Sequence, residues 1–222
     1  MLFMLITLIR FAFVSSQGSI NNEPSPPIGL AYIGGICKSK NVEVRGIDST
    51  GCDVNKVFKI PGTNLQGNGI DIDEIIKKID PRTDIFGIST MFSHEWNYNR
   101  ECIKKIKKEF PNALIIAGGE HVTALPEYVL RDCKEIDYIS LGEGEETWSE
   151  IIDHIKKNEA IDDIKGLAYL KNGKYVRTAM RERIKHIDEI PWPDWESFPI
   201  ESYLDSAMSF GAGSGRNMPI LA

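Results

Sequence analysis

The chain has 222 residues, 42% of them hydrophobic and 26% charged, the balance of a globular protein with one packed domain and a smaller appendage. A formal charge of −6 excludes the basic face that nucleic-acid phosphates demand, so no nucleic-acid partner is expected. The four cysteines (Cys37, Cys52, Cys102, Cys133) contain no C-x-x-C pair, which excludes a protein-held metal of that type and reads as reduced core thiols in a cytoplasmic protein.

In chain order, the apolar start has two readings. Residues 14–16 resemble a leader-cleavage site, yet no basic stretch precedes the apolar run and Arg10 follows it. The run is too short to span a bilayer, so no membrane partner is expected, and it reads as a buried strand over residues 5–13. A loop rich in Ser, Asn and Pro leads to a helix over 29–40 with Leu30, Ile33 and Cys37 on one face, then a strand over 42–48. Ile72, Ile75, Ile76 and Ile79 keep helical spacing until Pro81. A strand over 84–90 precedes a helix that turns Cys102, Ile103, Ile106 and Phe110 inward and its lysines outward. A strand over 113–117, a short helix over 125–133 and a strand over 137–141 follow. The last helix carries Trp148, Ile151, Ile152 and Ile155.

Five successive strand–helix units predict an α/β fold: a flavodoxin-like (Rossmann-like) five-stranded parallel sheet, helices on both faces, strand order 2-1-3-4-5. This domain is placed at residues 1–160. Residues 161–222 read as a C-terminal β-hairpin over 166–178, turning at Asn172-Gly173, and a proline-rich linker with Trp192, Trp195 and Phe198 among Pro191, Pro193 and Pro199. The tail 211–222 is glycine-rich and then apolar, like an element cut midway.

Sheets of this kind bind ligands beyond the carboxyl ends of their strands. Three ends stand out: Ser89-Thr90-Met91, Gly118-Gly119-Glu120-His121 and Gly142-Glu143-Gly144-Glu145. Glycines there let a ligand lie against backbone N–H groups, and a Ser or Thr hydroxyl adds an adaptable donor and acceptor. Gly142-x-Gly144 lacks the third glycine of a dinucleotide fingerprint and follows the wrong strand, and Glu143 and Glu145 would repel a pyrophosphate. His121 reads as a metal ligand, a base or a hydrogen-bond donor at the rim, and His94 either as lining the same cavity or as decoration at the start of the next helix. No catalytic triad can be assembled. Two rivals stay open: a nucleotide-sugar transferase, for which the D-x-D metal motif is missing, and a non-catalytic regulatory module whose strand-edge cleft would be filled by its own side chains.

These stretches, with residues 26–32 and 42–48, resemble the N-terminal B12-binding domains of cobalamin-dependent radical S-adenosylmethionine (SAM) enzymes. Ser89-x-Met91 is similar to the family's Ser-x-Leu element and Gly118-Gly119 to its Gly-Gly element. The usual Asp-x-His-x-x-Gly after the first strand is replaced by residues 10–16, which hold no histidine. The resemblance implies cobalamin bound without that axial ligand, with the eleven residues of the three strand ends as its contacts. It also implies a radical SAM barrel in cis, whose [4Fe–4S] cluster and SAM belong to a continuation beyond residue 222. The whole enzyme would carry out methyl transfer or another radical transformation, and this piece alone would bind without turnover.

Overall fold

All of β1 (Leu5–Arg10) except its last residue is buried, which is why its sequence shows no alternation: a parallel strand covered on both faces has no wet side. The computed structural model describes residues 4–19, 25–205 and 216. After β1 come β2 (Phe13–Ser16), α1 (Ile28–Ser39), β3 (Glu43–Asp48), α2 (Ser49–Cys52), β4 (Val57–Lys59) and β5 (Leu65–Asn68). Then follow α3 (Ile72–Lys78), β6 (Ile85–Ser89), α4 (Trp96–Glu109), β7 (Leu114–Gly118), α5 (Glu120–Ala124) and α6 (Pro126–Asp132). The chain continues through β8 (Tyr138–Ser140), α7 (Glu145–Lys156), β9 (Leu167–Lys171), β10 (Lys174–Arg177) and α8 (Ile200–Asp205).

The main sheet has the order β10-β9-β8-β7-β6-β1-β3. Its parallel members β1, β3, β6, β7 and β8 stand in the expected 2-1-3-4-5 order. The sheet itself has seven strands rather than five, because the hairpin continues it: β9 pairs antiparallel with β8, with Ile139 opposite Ala168. Pairing therefore crosses residue 160. Asn172 and Gly173, with φ of 52° and 76°, form the expected mirror-image turn.

Side chains on successive strand residues point to opposite faces, and the two cores follow from that. Ile6, Leu8, Ile85 and Ile116 pack under α1 and α7 with Ile36, Trp148, Ile151 and Ile152. Ile9, Ile88, Ile115 and Ala117 pack under α3, α4 and α6 with Ile75, Ile103, Ile106 and Leu130. A reciprocal cap starts α3: Glu74 N donates to Asp71 Oδ1 at 3.0 Å and Asp71 N to Glu74 Oε2 at 3.1 Å.

One feature departs from expectation, and another was left open by the sequence. The first strand ends at Arg10, and the chain turns at Phe11-Ala12 into β2, the edge of a small antiparallel sheet β2-β5-β4. The proline-rich stretch packs back on the domain: Asp194 N donates to Ala31 O at 2.8 Å, and Lys38 reaches Asp194 at 2.6 Å. A Cβ on Gly35 would stand 2.3 Å from Trp192 O, and one on Gly46 2.5 Å from Ser197 O, so both glycines are needed for the arm to lie this close. Phe198 and Tyr203 are buried beneath it, while Trp192 is 89% exposed. The tail 211–222, Arg216 apart, lies outside the described residues.

Candidate functional site

The carboxyl edge of the parallel strands divides into two ends. At the β1/β3 end, Arg10 grips the fully buried Asp48 with two hydrogen bonds, Nε to Oδ1 at 2.8 Å and Nη2 to Oδ2 at 3.0 Å. Tyr203 of α8 donates to the same carboxylate at 2.5 Å and also bonds Arg10. Burial first, then the neighbouring Asp48 charge, holds the Tyr203 hydroxyl protonated far above the usual phenol range. Ser202 closes the end by donating to Gly51 O at 2.5 Å. This corner is filled by the chain itself.

The β6/β7/β8 end is built differently. Ser89 is half-buried at the tip of β6. Thr90 is buried, and its backbone N and Oγ1 both donate to Gly118 O, at 2.8 and 3.0 Å. Its hydroxyl therefore stitches β6 to β7 and does not face outward as expected. Met91 and Phe92 do face outward, 43% and 49% exposed. His94 Nε2 bonds Val14 O at 3.1 Å, and its ring packs against Phe13 and Phe92 at the start of the short helical turn 93–95. Glu95 is buried beside it and takes Val14 N at 3.3 Å; burial raises its carboxyl pKa.

Beyond β7, Gly119 has φ of +116°, and a Cβ there would stand 2.6 Å from Thr90 O, so only glycine makes the turn. Gly118 is different. The nearest atom to its imagined Cβ is Ser140 O at 3.8 Å, so internal packing leaves room there. Glu120 is exposed. His121 is not at the rim: it is 4% exposed, its Nδ1 lies 2.9 Å from Ser93 Oγ, and its ring packs on Trp96. Burial lowers its pKa.

Beyond β8, Gly142 (φ +68°) has open space beside its Cα, and its N–H donates to Thr123 Oγ1 at 3.1 Å, tying this turn to α5. Glu143 Oε2 accepts from Ile184 N at 2.9 Å and so tethers the segment leading to the arm. Gly144 packs against Ile33 and Trp148. Glu145 is half-buried; its Oε2 and the Ser140 Oγ have no hydrogen-bond partner, and burial raises the Glu145 pKa. A cleft of about 370 Å³ opens here, lined by Tyr32, Glu143, Glu145, Ile187, Asp188 and Trp192 among others. Of the residues singled out from the sequence, Glu143 and Glu145 reach this cleft, while the rest lie along the strand edge. Sequence reading missed Tyr32, Thr123, Ser140 and Asp188, none of which carries a motif of its own.

Among the described residues no cluster of three or more His, Cys, Asp or Glu could hold a metal ion. Burial pushes the Cys37 and Cys102 thiols up to about 12, which makes them core residues and not nucleophiles. No described helix is long and apolar enough to cross a membrane. The edge presents glycine turns at 118–119 and 142–144, bordered by the exposed apolar side chains Met91 and Phe92.

A protein of Pyrococcus horikoshii described as an uncharacterised methyltransferase is 35% identical over 187 residues, covering 84% of this chain and 37% of the relative. The cytidylyl-2-hydroxyethylphosphonate methyltransferase of Streptomyces wedmorensis is 24% identical over 202 residues, covering 81% of this chain and 38% of its own length. The chain thus spans little more than a third of either relative. In fold it is similar to OxsB, a cobalamin-dependent SAM radical enzyme solved with aqua-cobalamin and SAM bound, at a TM-score of 0.66 and 21% identity over 87% of this chain and 24% of OxsB. The family model of the B12 binding domain matches residues 22–152, more than half of the chain, including the ends of β3, β6, β7 and β8 but not that of β1. The chain belongs to the B12-binding domain family.

Proposed function

We propose that the β6/β7/β8 edge holds cobalamin for a longer radical SAM enzyme, a methyltransferase or a relative of one. The observation that carries the placement is the contrast at this edge between a backbone ledge with room above Gly118 and Gly142 and polar atoms, Ser140 Oγ and Glu145 Oε2, that no protein group satisfies. Cobalamin suits such a surface, because it is a broad plate rimmed with amide groups that need both donors and acceptors.

In this reading Gly118 and Gly119 let the cofactor approach the backbone, and Met91 and Phe92 cover its apolar flank. Glu143 and Glu145, which line the cleft, take its N–H or hydroxyl groups there. The Glu145 carboxylate, half-buried at the cleft wall, would act as an acceptor for such groups. Arg10 and Asp48 are already paired to each other, and no histidine follows β1, so the chain supplies no axial imidazole from that loop. When bound, cobalamin would supply a cobalt centre whose reactivity the protein tunes through burial and axial ligation. The radical SAM barrel, its iron–sulfur cluster and SAM would lie in a partner region in cis, within the cytoplasm.

Titrating the purified chain with hydroxocobalamin and following the visible spectrum after gel filtration tests the proposal. Retention of the chromophore near one equivalent is expected. A chromophore that elutes wholly free of protein overturns it.

A further inference from the structure

We infer that His121 is a positioning residue: its buried ring pins the turn at 91–95, beyond β6, to the turn at 118–121, beyond β7, so that two walls of the groove move as one body. The functional meaning of this pin rests on the cobalamin reading of the groove; the pin itself does not.

Three contacts from one residue make it. The backbone N of His121 donates to Thr90 O at 3.2 Å. Its Nδ1 lies at hydrogen-bond distance, 2.9 Å, from Ser93 Oγ in the short helical turn Ser93–Glu95. Its ring centroid lies 5.1 Å from that of Trp96 at an interplanar angle of 39°. Trp96 is itself fixed, 3% exposed and donating from Nε1 to Asp132 at 2.8 Å. The pinned turn carries Met91 and Phe92, the exposed apolar side chains of this wall.

The remaining ring nitrogen separates this role from packing alone. His121 Nε2 is enclosed and has no partner. With Nδ1 held by Ser93 and the ring packed on Trp96, the residue is assigned a positioning role, and a cobalt-ligand role is left as the outcome that the bound spectrum would reveal. A buried polar atom without a partner also costs stability, which an apolar ring at this position would avoid. Histidine is therefore the poorer choice for packing alone, and the better one for holding Ser93. Burial keeps the ring neutral, consistent with its lowered pKa, so the bond to Ser93 is an ordinary neutral one.

The test uses the full 222-residue chain in four variants, His121→Phe, His121→Asn, Ser93→Ala and the double His121→Phe/Ser93→Ala. Three quantities are read: thermal stability, amide hydrogen exchange of residues 91–95 without ligand, and hydroxocobalamin affinity with its visible spectrum. His121→Phe should match or exceed the parent in Tm, yet exchange faster at 91–95. It should also bind hydroxocobalamin about fivefold to tenfold more weakly, the worth of one neutral hydrogen bond. Ser93→Ala should show the same loosening, the double variant no more than either single change, and His121→Asn, whose amide overlays Nδ1, should regain most of it. The bound spectrum should not move in any variant.

Unchanged exchange in Ser93→Ala, or additive losses in the double variant, overturns the pin. A shifted spectrum in His121→Phe would make the residue a cobalt ligand and overturn it too. Should the parent chain fail to retain hydroxocobalamin, the cobalamin reading falls, while the exchange rates of the ligand-free chain still decide whether the pin exists.

Discussion

The two ends of one strand edge have opposite characters. At the β1/β3 end, Arg10, Asp48 and Tyr203 satisfy one another, Ser202 closes the corner, and the arm lies against glycines that leave no space. At the β6/β8 end, Ser140 Oγ and Glu145 Oε2 are unpartnered, and Met91 and Phe92 face outward. Folding alone would favour the first arrangement everywhere, because buried unpaired polar atoms and exposed large apolar groups both cost free energy. The second arrangement is the one on which the proposed cobalamin site rests. The doubly wound topology puts both ends at the same edge; the C-terminal arm closes the first with Ser202 and Tyr203 and lines the cleft beside Glu143 and Glu145 with Ile187, Asp188 and Trp192.

The largest expected effect breaks the closed end. Asp48→Ala leaves the Arg10 guanidinium without its buried partner and should lower stability by about 3 kcal/mol in urea unfolding. A loss under about 1 kcal/mol would mean that the corner is not held by this pair. At the open end, Gly118→Val should leave stability within about 0.5 kcal/mol, since packing leaves room there. Hydroxocobalamin binding should nevertheless fall about tenfold or more, equivalent to about 1.4 kcal/mol. If stability and binding fell together, the distinction between the ends would blur.

Tyr203→Phe removes the hydroxyl that donates to Asp48 and accepts from Arg10, and keeps the buried ring. A loss of about 1 to 2 kcal/mol in stability is expected, with hydroxocobalamin affinity unchanged because the open end lies elsewhere. The smallest effect concerns pH. Burial lowers the His121 pKa below its ordinary 6.5, so the unfolded chain takes up this proton before the folded one does. Its contribution is whole above pH 6.5 and is lost progressively as pH falls toward the folded-state value. Glu95 has the opposite sign: burial raises its pKa above 4.5, so its contribution is present below that value and is lost as pH rises through the folded-state value. Urea midpoints between pH 7 and 5 should therefore fall less steeply with acid in His121→Phe than in the parent. Parallel curves would show that the ring is not desolvated.

Much of this architecture was legible residue by residue. Continuous apolar runs such as 5–9 and 113–117 specify strands covered on both faces, and the isoleucine and cysteine stripes of α3 and α4 specify helices with one wet side. Right-handed crossovers then leave few ways to order the strands, and the glycine turns at 118–119 and 142–144 fall at one edge as a consequence. The small sheet was not legible, because Val57–Lys59 and Leu65–Asn68 are too short and too mixed to show a period.

The sequence by itself determined the α/β class, the 2-1-3-4-5 order and the strand ends that border the site, since each follows from local hydrophobic spacing and chain chirality. Only the tertiary structure decided that Thr90 and His121 turn inward, that Asp48 meets a tyrosine 155 positions away, and that Ser140 has no partner. Those outcomes depend on which side chains meet across long stretches of chain, and spacing along the chain carries no record of such meetings.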